Sequence, residues 1–473
     1  MQIPLTGGSY EGRSSNVASQ SMINYFYEKG TDGDSLVSTP GSISLSVPVA
    51  GEVRGGIAYN NLAYFVIGST LYEIDAAGNS TSRGTLTTST GRVSMAHNGT
   101  RVSANQQIFI ADSTQRYIYD NTTSTLTGYT DYAAVTVVFL DGYFIFNVKD
   151  TDRFYLTSSY DGVTVSALDF ETAEGDPDII HSLIADQREL IAFGTLSNSS
   201  WYDSGDTDNT FQRFQGGFKQ TGTSAAFSPA RTDNNIYWLS MDDRGHGQVV
   251  KLGEGRSPIV VSTPEIAYQI STYSTISDAF GYAYQHEGHE FYVLTFPTAN
   301  VTWVYDASTQ QWHRRGHTIN DEFPSRERYN CHVFAFGEHL FGDYANGTIY
   351  KLDSTVGTIA GTRIPRERTT STVGQEEKRI RIATLQLDME EGIGDPSVTT
   401  DNAMWLSWSK DGGHTFSNEI ERSMGDLGDY SRRVIWRGLG QARNWTFKLR
   451  TWTPKPHVLK GLYARLYGEP HDG

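Results

Sequence analysis

Cysteine is nearly missing: the 473-residue chain has one, Cys331. A lone thiol makes no intrachain disulfide and leaves no Cys-based zinc or iron–sulfur site. Long apolar runs are missing too. The longest, Ala133 to Leu140, falls far short of the roughly 20 residues of a membrane-spanning helix. The opening stretch, MQIPLTGGSYEGRSSNVASQ, has no apolar core of signal-peptide length. The expectation is a soluble chain with no membrane insertion. Positive charge is in deficit, with 38 Lys+Arg against 54 Asp+Glu and a net charge of −16. That balance excludes a protein that coats nucleic acid, because tight phosphate contact needs a surplus of cations. No Gly-rich loop runs into Lys-Ser/Thr, no GxSxG elbow occurs, and no Cys/His pair nominates a nucleophile. The chain is expected not to be an enzyme, and no catalytic, cofactor-binding or metal-ligating residue is assigned.

What is abundant is glycine, at 47, and aromatic side chains, with 27 Tyr, 22 Phe and 9 Trp. Residues 53 to 353 read as short apolar runs, such as Leu62 to Ile67 and Tyr143 to Phe146, punctuated by Gly, Asn, Asp, Ser or Thr. This is the grammar of strands and turns. No window carries a sustained helical stripe; the best short helix candidate spans Ala18 to Glu28. The fold class is therefore all-β.

A repeat organises these strands. Units start near Val53, Val93, Ala134, Ile179, Ser224, Ser277 and His332, a spacing typical of four-stranded propeller blades. The reading is a β-propeller over 53–361, with seven blades favoured and six possible if a terminal unit is borrowed to close the ring. Several units end an aromatic third strand in Asp: Asp75, Asp120, Asp306 and Asp353. These carboxylates read as turn formers, with the aromatics filling the layer between blades.

Residues 1–52 are polar and Gly/Ser-rich and read as an extended arm that docks elsewhere. Residues 362–379 read as a linker or exposed loop, and 380–473 as a small β-sandwich-like domain. Residues 363–473 hold 17 Lys+Arg and 15 Asp+Glu, so residues 1–362 carry −18.

Five kinds of local motif carry alternatives. Ser409 to Phe416 resembles the Asp-box hairpin of sialidases and other β-rich proteins, a structural turn. His286-Glu287-Gly288-His289-Glu290 has neither metalloprotease spacing nor a helix to display it, and reads as a hairpin turn. Asp150-Thr151-Asp152 and Asp206-Thr207-Asp208-Asn209 are fragments of a calcium loop without its Gly and distal Glu. The triplets Asn98-Gly99-Thr100 and Asn346-Gly347-Thr348 read as turns rather than glycosylation sites. Arg363, Arg366, Arg368, Lys378, Arg379 and Arg381, then Arg432, Arg433, Arg437, Arg443, Lys448 and Arg450, are interleaved with Trp436, Trp445 and Trp452. That mixture fits nucleic-acid contact or a protein-interface rim, but the preferred reading is exposed strand positions alternating with a buried Trp face.

Several strings together resemble one family: Gly91 to His97; Ile179 to Asp206; Ser257-Pro258-Ile259; Trp303 to Ser308; Ser431 to Tyr467; and, at the start, Ser9 to Ser14 and Met22 to Gly30. They resemble the packaged-DNA stabilisation proteins, the tail hub or nozzle of short-tailed bacteriophages. The resemblance implies a β-propeller without catalytic residues, in a homohexameric ring below the portal-adaptor proteins of the head-tail connector. Such a ring retains the packaged genome and docks tail fibres, spikes or a needle. Genomic double-stranded DNA would pass its channel without sequence-specific binding. The implied location is the virion tail, with the host cytoplasm during assembly. The arm and the basic C-terminal region are the segments expected to carry adaptor or neighbour-subunit contacts. The rival reading is a glycan-binding or glycan-cleaving propeller.

Overall fold

Strands such as Leu62–Ile67 are apolar at every position because both of their faces are buried. Ala63, Phe65 and Ile67 point into one core, and Leu62, Tyr64 and Val66 into the next. The computed structural model describes residues 1–467 except 14–18, 32, 100–104, 173–177, 207–209, 233–234, 242–244, 246, 254–255, 320–321, 375–377 and 393–401. Thr100, Ser14 and the Thr207 to Asn209 part of the second calcium-loop fragment therefore lie outside the described residues.

Seven antiparallel four-stranded units follow one another. Blade 1 is Val53–Tyr59, Leu62–Ile67, Thr70–Ile74 and Ser80–Thr85; blade 2 runs from Ser94–His97 to Thr125–Tyr129, and blade 3 from Ala134–Leu140 to Val165–Thr172. Blade 4 runs from Ile180–Asp186 to Phe211–Lys219, blade 5 from Ala230–Arg231 to Pro258–Val260, and blade 6 from Phe280–His286 to Gln311–Arg315. Blade 7 has Tyr329–Ala335, Glu338–Asp343 and Ile349–Asp353, and takes its outer strand, Gly41–Ser46, from the N-terminal segment. The first strand of each blade touches that of the next, and blade 7 returns to blade 1. The ring is thus seven-bladed and closed by a borrowed strand, which leaves no inner edge to aggregate.

Each seam between neighbouring blades holds its own apolar cluster. Val53, Phe65 and Ile74 meet Val333, Leu340 and Ile349 across blades 7 and 1, and Ile191 and Phe193 meet Ile236 and Trp238 across blades 4 and 5. The aromatic surplus sits in these seams, as the strand pattern predicts.

The last hundred residues form a sandwich of two sheets around Leu385, Leu387, Met404, Trp436, Trp445, Phe447 and Leu462. One sheet is ordered Val434–Ala442, Ile380–Met389, Val458–Leu466, Asp34–Ser38, Tyr25–Lys29, with Gln2–Ile3 also on Val458–Leu466. The other runs Ile420–Ser423, Ala403–Ser409, Asn444–Thr451, Arg366–Thr369, Met22–Ile23 and then directly into the outer strand of blade 6. The arm is therefore extended but threaded: it supplies strands to the sandwich, to the propeller and to the bridge between them.

Two expectations need correction. Residues 362–379 are not simply a linker or exposed loop, because Arg366–Thr369 is a fully buried strand paired on both sides. The Ala18 to Glu28 helix candidate is a series of short strands. The α-helix described lies elsewhere, at Pro264–Ser271, where Thr263 caps the Ile266 N–H and proline takes the first turn. Among the described residues no helix is long and apolar enough to cross a membrane.

Candidate functional site at the propeller–sandwich junction

The junction is built on alternation along one strand. Arg366 and Arg368 point one way into the interior, and Glu367 between them points the other. Arg368 donates from Nε to the Leu5 carbonyl at 2.7 Å and from Nη1 to the carbonyls of Gly8 and Ser21 at 3.3 Å. Arg366 reaches the carbonyls of Thr39 and Thr453, both at 3.1 Å. Both side chains are fully buried, and desolvation lowers each guanidinium to about 10, which leaves it charged at neutral pH. Their charge is met by backbone dipoles of the arm and of the last sandwich loop. Glu367 accepts from Arg450 at 2.6 Å and lies 3.7 Å from Lys448.

Asn24 completes the joint. Held at φ 58°, it donates from Nδ2 to the carbonyls of Gly316 and Pro365 at 2.7 and 2.6 Å, and its Oδ1 accepts from the Gly316 N–H at 3.0 Å. One side chain thereby ties the arm, the end of blade 6 and the entry to the sandwich. Nearby, Tyr25 and His457 share a buried 2.7 Å hydrogen bond. Sequence reasoning placed Arg366 and Arg368 on an exposed strand because they are charged. The available signal was the period-2 pattern Arg-Glu-Arg immediately after a proline.

The blade 6–7 seam beside this junction is rich in histidine. His332 and His339 contact through Nε2 and Nδ1 at 2.9 Å, His286 packs on His339, and His289 pairs with Asp306 at 2.7 Å. The His286 to Glu290 motif is the hairpin turn expected, with Glu287 and Gly288 both at positive φ. Among the described residues no group of three or more His, Cys, Asp or Glu is placed to hold a metal.

The repeated aspartates cap turns. The carboxylates of Asp75, Asp120, Asp306 and Asp353 accept the backbone N–H two residues on, at 2.8–3.0 Å. A second set, at the opposite end of the blades, falls outside the third-strand pattern because it serves the turns that follow second strands. Asp112, Asp178 and Asp343 are buried and hold the turns between second and third strands; Asp178 accepts the N–H groups of Thr195, Leu196 and Ser197. The Asp-box is likewise structural: Asp411 accepts from the hydroxyls of Ser409 and Thr415 and from the N–H groups of Thr415 and His414, which hold its carboxyl well below the usual range. Asn346 accepts the Thr348 N–H in a turn. Asp150 and Asp152 line a cleft between blades 3 and 4 with Asp178, whose carboxylate is already used.

The other basic residues divide. Trp436 and Trp445 are fully buried, so they are not stacking platforms, whereas Arg379, Arg381, Arg432, Arg433, Arg437 and Arg443 are exposed. A cleft of about 750 Å³ between blades 4 and 5 is lined by Asp186, Glu189, Lys251 and Arg256. Its carboxylates are committed: Arg256 grips Glu189 in a two-pronged ion pair and Arg231 lies 3.0 Å from Asp186. Cys331 is buried, and burial pushes its thiol up to about 11. It is expected to stay unreactive toward a disulfide reagent at mildly alkaline pH in the native protein and to react at once after denaturation. Rapid native labelling would contradict this placement.

Two family profiles match this architecture in order. One, described as Bacteriophage P22 Gp10, beta-propeller, covers residues 1–357, and the other, Bacteriophage P22 Gp10, beta-sandwich, covers 365–467. The chain belongs to the bacteriophage P22 Gp10 family. Gp10-family chains are packaged-DNA stabilisation proteins, and this one is accordingly a structural component of a phage tail. The gap between the two matches contains the short hairpin of Thr358–Ile359 and Thr362–Arg363, which packs on the borrowed strand of blade 7. No curated protein matches the chain. Two solved structures are similar at a low level. The extracellular domain of BT4673 from B. thetaiotaomicron is 10% identical with a TM-score of 0.46, over 82% of this chain and 48% of that one. PorZ, a surface component of the type-IX secretion system of Porphyromonas gingivalis, is 10% identical with a TM-score of 0.38, over 86% and 55%. The chain spans about half the length of each.

The Gp10 family assignment changes what the site is. For a tail component, the working parts are contact surfaces and the joint that fixes their relative position. The sheet shared by blade 6 and the sandwich supplies that joint.

Proposed function

We propose that the protein is a hexameric hub below the portal-adaptor, closing the DNA channel, retaining the packaged genome and docking distal fibres, spikes or a needle. The observation that carries this reading is the family match over both domains, supported by the continuous sheet that joins blade 6 to the sandwich. The role is mechanical rather than catalytic. In the cleft between blades 4 and 5 the carboxylates of Asp186 and Glu189 are already ion-paired, which is not the pair of free carboxyl groups glycoside cleavage uses.

Charge placement refines how DNA is kept mobile. The first strands of the seven blades carry only Arg54, Asp186 and Arg231 as fully charged residues, and Arg54 is buried. The acidity of residues 1–362 therefore lies almost wholly outside the first strands. A wall that repels phosphate is then an outer surface of the propeller facing the axis of the ring, not the propeller's own tunnel.

The test uses DNA-filled heads lacking this protein. Adding it together with the adaptor is expected to make the genome nuclease-resistant and to add six chains of 52.5 kDa per head. Heads that keep leaking DNA, with no protein bound, would overturn the reading.

A further inference from the structure

Three strands of the sandwich present an outer face that no described residue covers, and its charge is opposite to that of the molecule. In the strands Ile380–Met389, Val434–Ala442 and Val458–Leu466, the inward positions Leu385, Leu387, Trp436, Leu439 and Leu462 fill the core. The alternate positions present Arg381, Arg437, Lys460 and Arg465 on the outer face, joined by Arg433 just before the second strand, with Asp388 as the one acid in these strands. Tyr463 and Tyr467 are exposed beside them. This cluster stands on a chain of net charge −16.

The acidic counterpart lies across the molecule. The sandwich is attached at blades 6 and 7, where Met22–Ile23 bridges from Gln311–Arg315 and where Phe26 and Ile364 enter the seam. In a seven-membered ring, blade 3 lies half a turn from that seam. Residues 131–172, which contain blade 3, hold seven Asp+Glu and two Lys+Arg. Asp150 and Asp152 lie in an exposed turn, and Asp169 and Glu171 on the outer strand Val165–Thr172. That strand pairs only with Arg153–Thr157 among the described residues and exposes Leu168 at 85%. It is an open edge with an apolar anchor among carboxylates.

We infer that the basic sandwich face docks head-to-tail on the acidic outer edge of blade 3 of a second copy of this chain. The inference rests on the oligomeric hub reading and names the contact that would build it. Opposite charges at opposite ends favour a heterologous contact, because a two-fold contact through either face would set like charges together. A heterologous contact repeats around a ring, and each copy then satisfies both of its faces. An Arg- and Tyr-rich patch is also the composition that protein interfaces favour. Duplex DNA is the other polyanion such a face could meet. Arg381 lies over the Tyr467 ring at 4.0 Å and Arg433 donates to Gln386 at 2.9 Å, an arrangement that leaves Tyr467 poorly placed for stacking on bases.

The test is sedimentation of the full chain over a range of concentration and salt. Association is expected at low salt and is expected to weaken steeply as salt rises. Two double variants, Arg433→Glu with Arg437→Glu, and Asp152→Arg with Asp169→Arg, should each weaken it roughly tenfold or more, with melting curves unchanged. Mixing the two variants should restore assembly, because each contact in an alternating ring then pairs opposite charges. Association of either variant like the wild type, or a wild type that stays monomeric at low salt, overturns the inference. So does loss of binding to a short DNA duplex in the arginine variant with self-association intact. The hub reading is scored separately on DNA-filled heads. If wild type and both variants protect the genome equally, the hub stands and this contact falls; if the wild type protects nothing, the hub reading itself falls.

Discussion

Replacing Arg368 with alanine is expected to cost about 4 kcal/mol and to release the N-terminal arm before the blades unfold. The side chain is fully buried and serves the carbonyls of Leu5, Gly8 and Ser21. Each buried acceptor left without a donor costs about 1–3 kcal/mol, partly recovered if water enters the vacated space. The loss would be local because the three carbonyls all belong to the arm. Hydrogen exchange should therefore rise over residues 1–13 and 19–23 and over Arg366–Thr369, which pairs with Met22–Ile23, while the blade 1–4 seams keep their protection. Arg368→Lys should recover part of the loss, since one ammonium retains the charge but cannot span three separated acceptors. An exposed control, Arg443→Ala, should change stability by less than about 0.5 kcal/mol. If Arg368→Ala melts like the wild type and the arm keeps its protection, the joint does not depend on this guanidinium. In the hub such a variant should fold its propeller yet fail to hold the sandwich in place.

How much of this was legible beforehand depends on which physical signal each element carries. Blade strands announce themselves because burial on both faces makes runs such as Leu62 to Ile67 apolar throughout, and turn aspartates mark where they end. The seven unit starts correspond to the seven blades, and the suspicion that a terminal unit closes the ring is met by Gly41–Ser46. That strand could not be located from its own sequence: it is small and polar, and its outer position exposes Ile43. The helix Pro264–Ser271 is too short for periodicity, since only Ile266 and Ile270 are buried. The joint was misread for a more basic reason. Charge predicts exposure unless buried acceptors await it, and the arm acceptors for Arg366 and Arg368, the carbonyls of Thr39, Leu5, Gly8 and Ser21, lie more than 300 residues away along the chain. Such long-range pairing leaves no local trace.

Acid should open the blade 6–7 seam and the adjoining junction first. His332 and His457 are buried and lowered to about 3, and His317 to about 4. His313 is fully buried and lies well below the ordinary value. Burial is the leading cause in each case, reinforced by the positive charges of Arg315 near His313, Arg328 near His317 and Arg366 near His457. A histidine kept neutral in the fold but free to protonate when unfolded costs nothing above pH 6.5. Below it, stability falls by about 1.4 kcal/mol per pH unit until the folded value is reached. At pH 5 each such group removes roughly 2 kcal/mol. His289 acts in the opposite sense: its hydrogen bond to Asp306 raises its pKa, so its contribution is fully present below 6.5 and fades as pH rises through the raised value. The net expectation is a loss of several kcal/mol between pH 7 and 5, a window in which ordinary carboxylates stay charged. The variant that isolates the cause is His313→Phe. Neither ring nitrogen of His313 has a hydrogen-bond partner among the described residues, and its ring packs edge-on against Phe291. Phenylalanine should therefore be tolerated at pH 7.5 while the slope of stability against pH falls by about one proton. An unchanged slope would place the acid sensitivity elsewhere. A reduced slope would tie it to the seam through which the borrowed strand, the sandwich joint and the closure of the ring are all held.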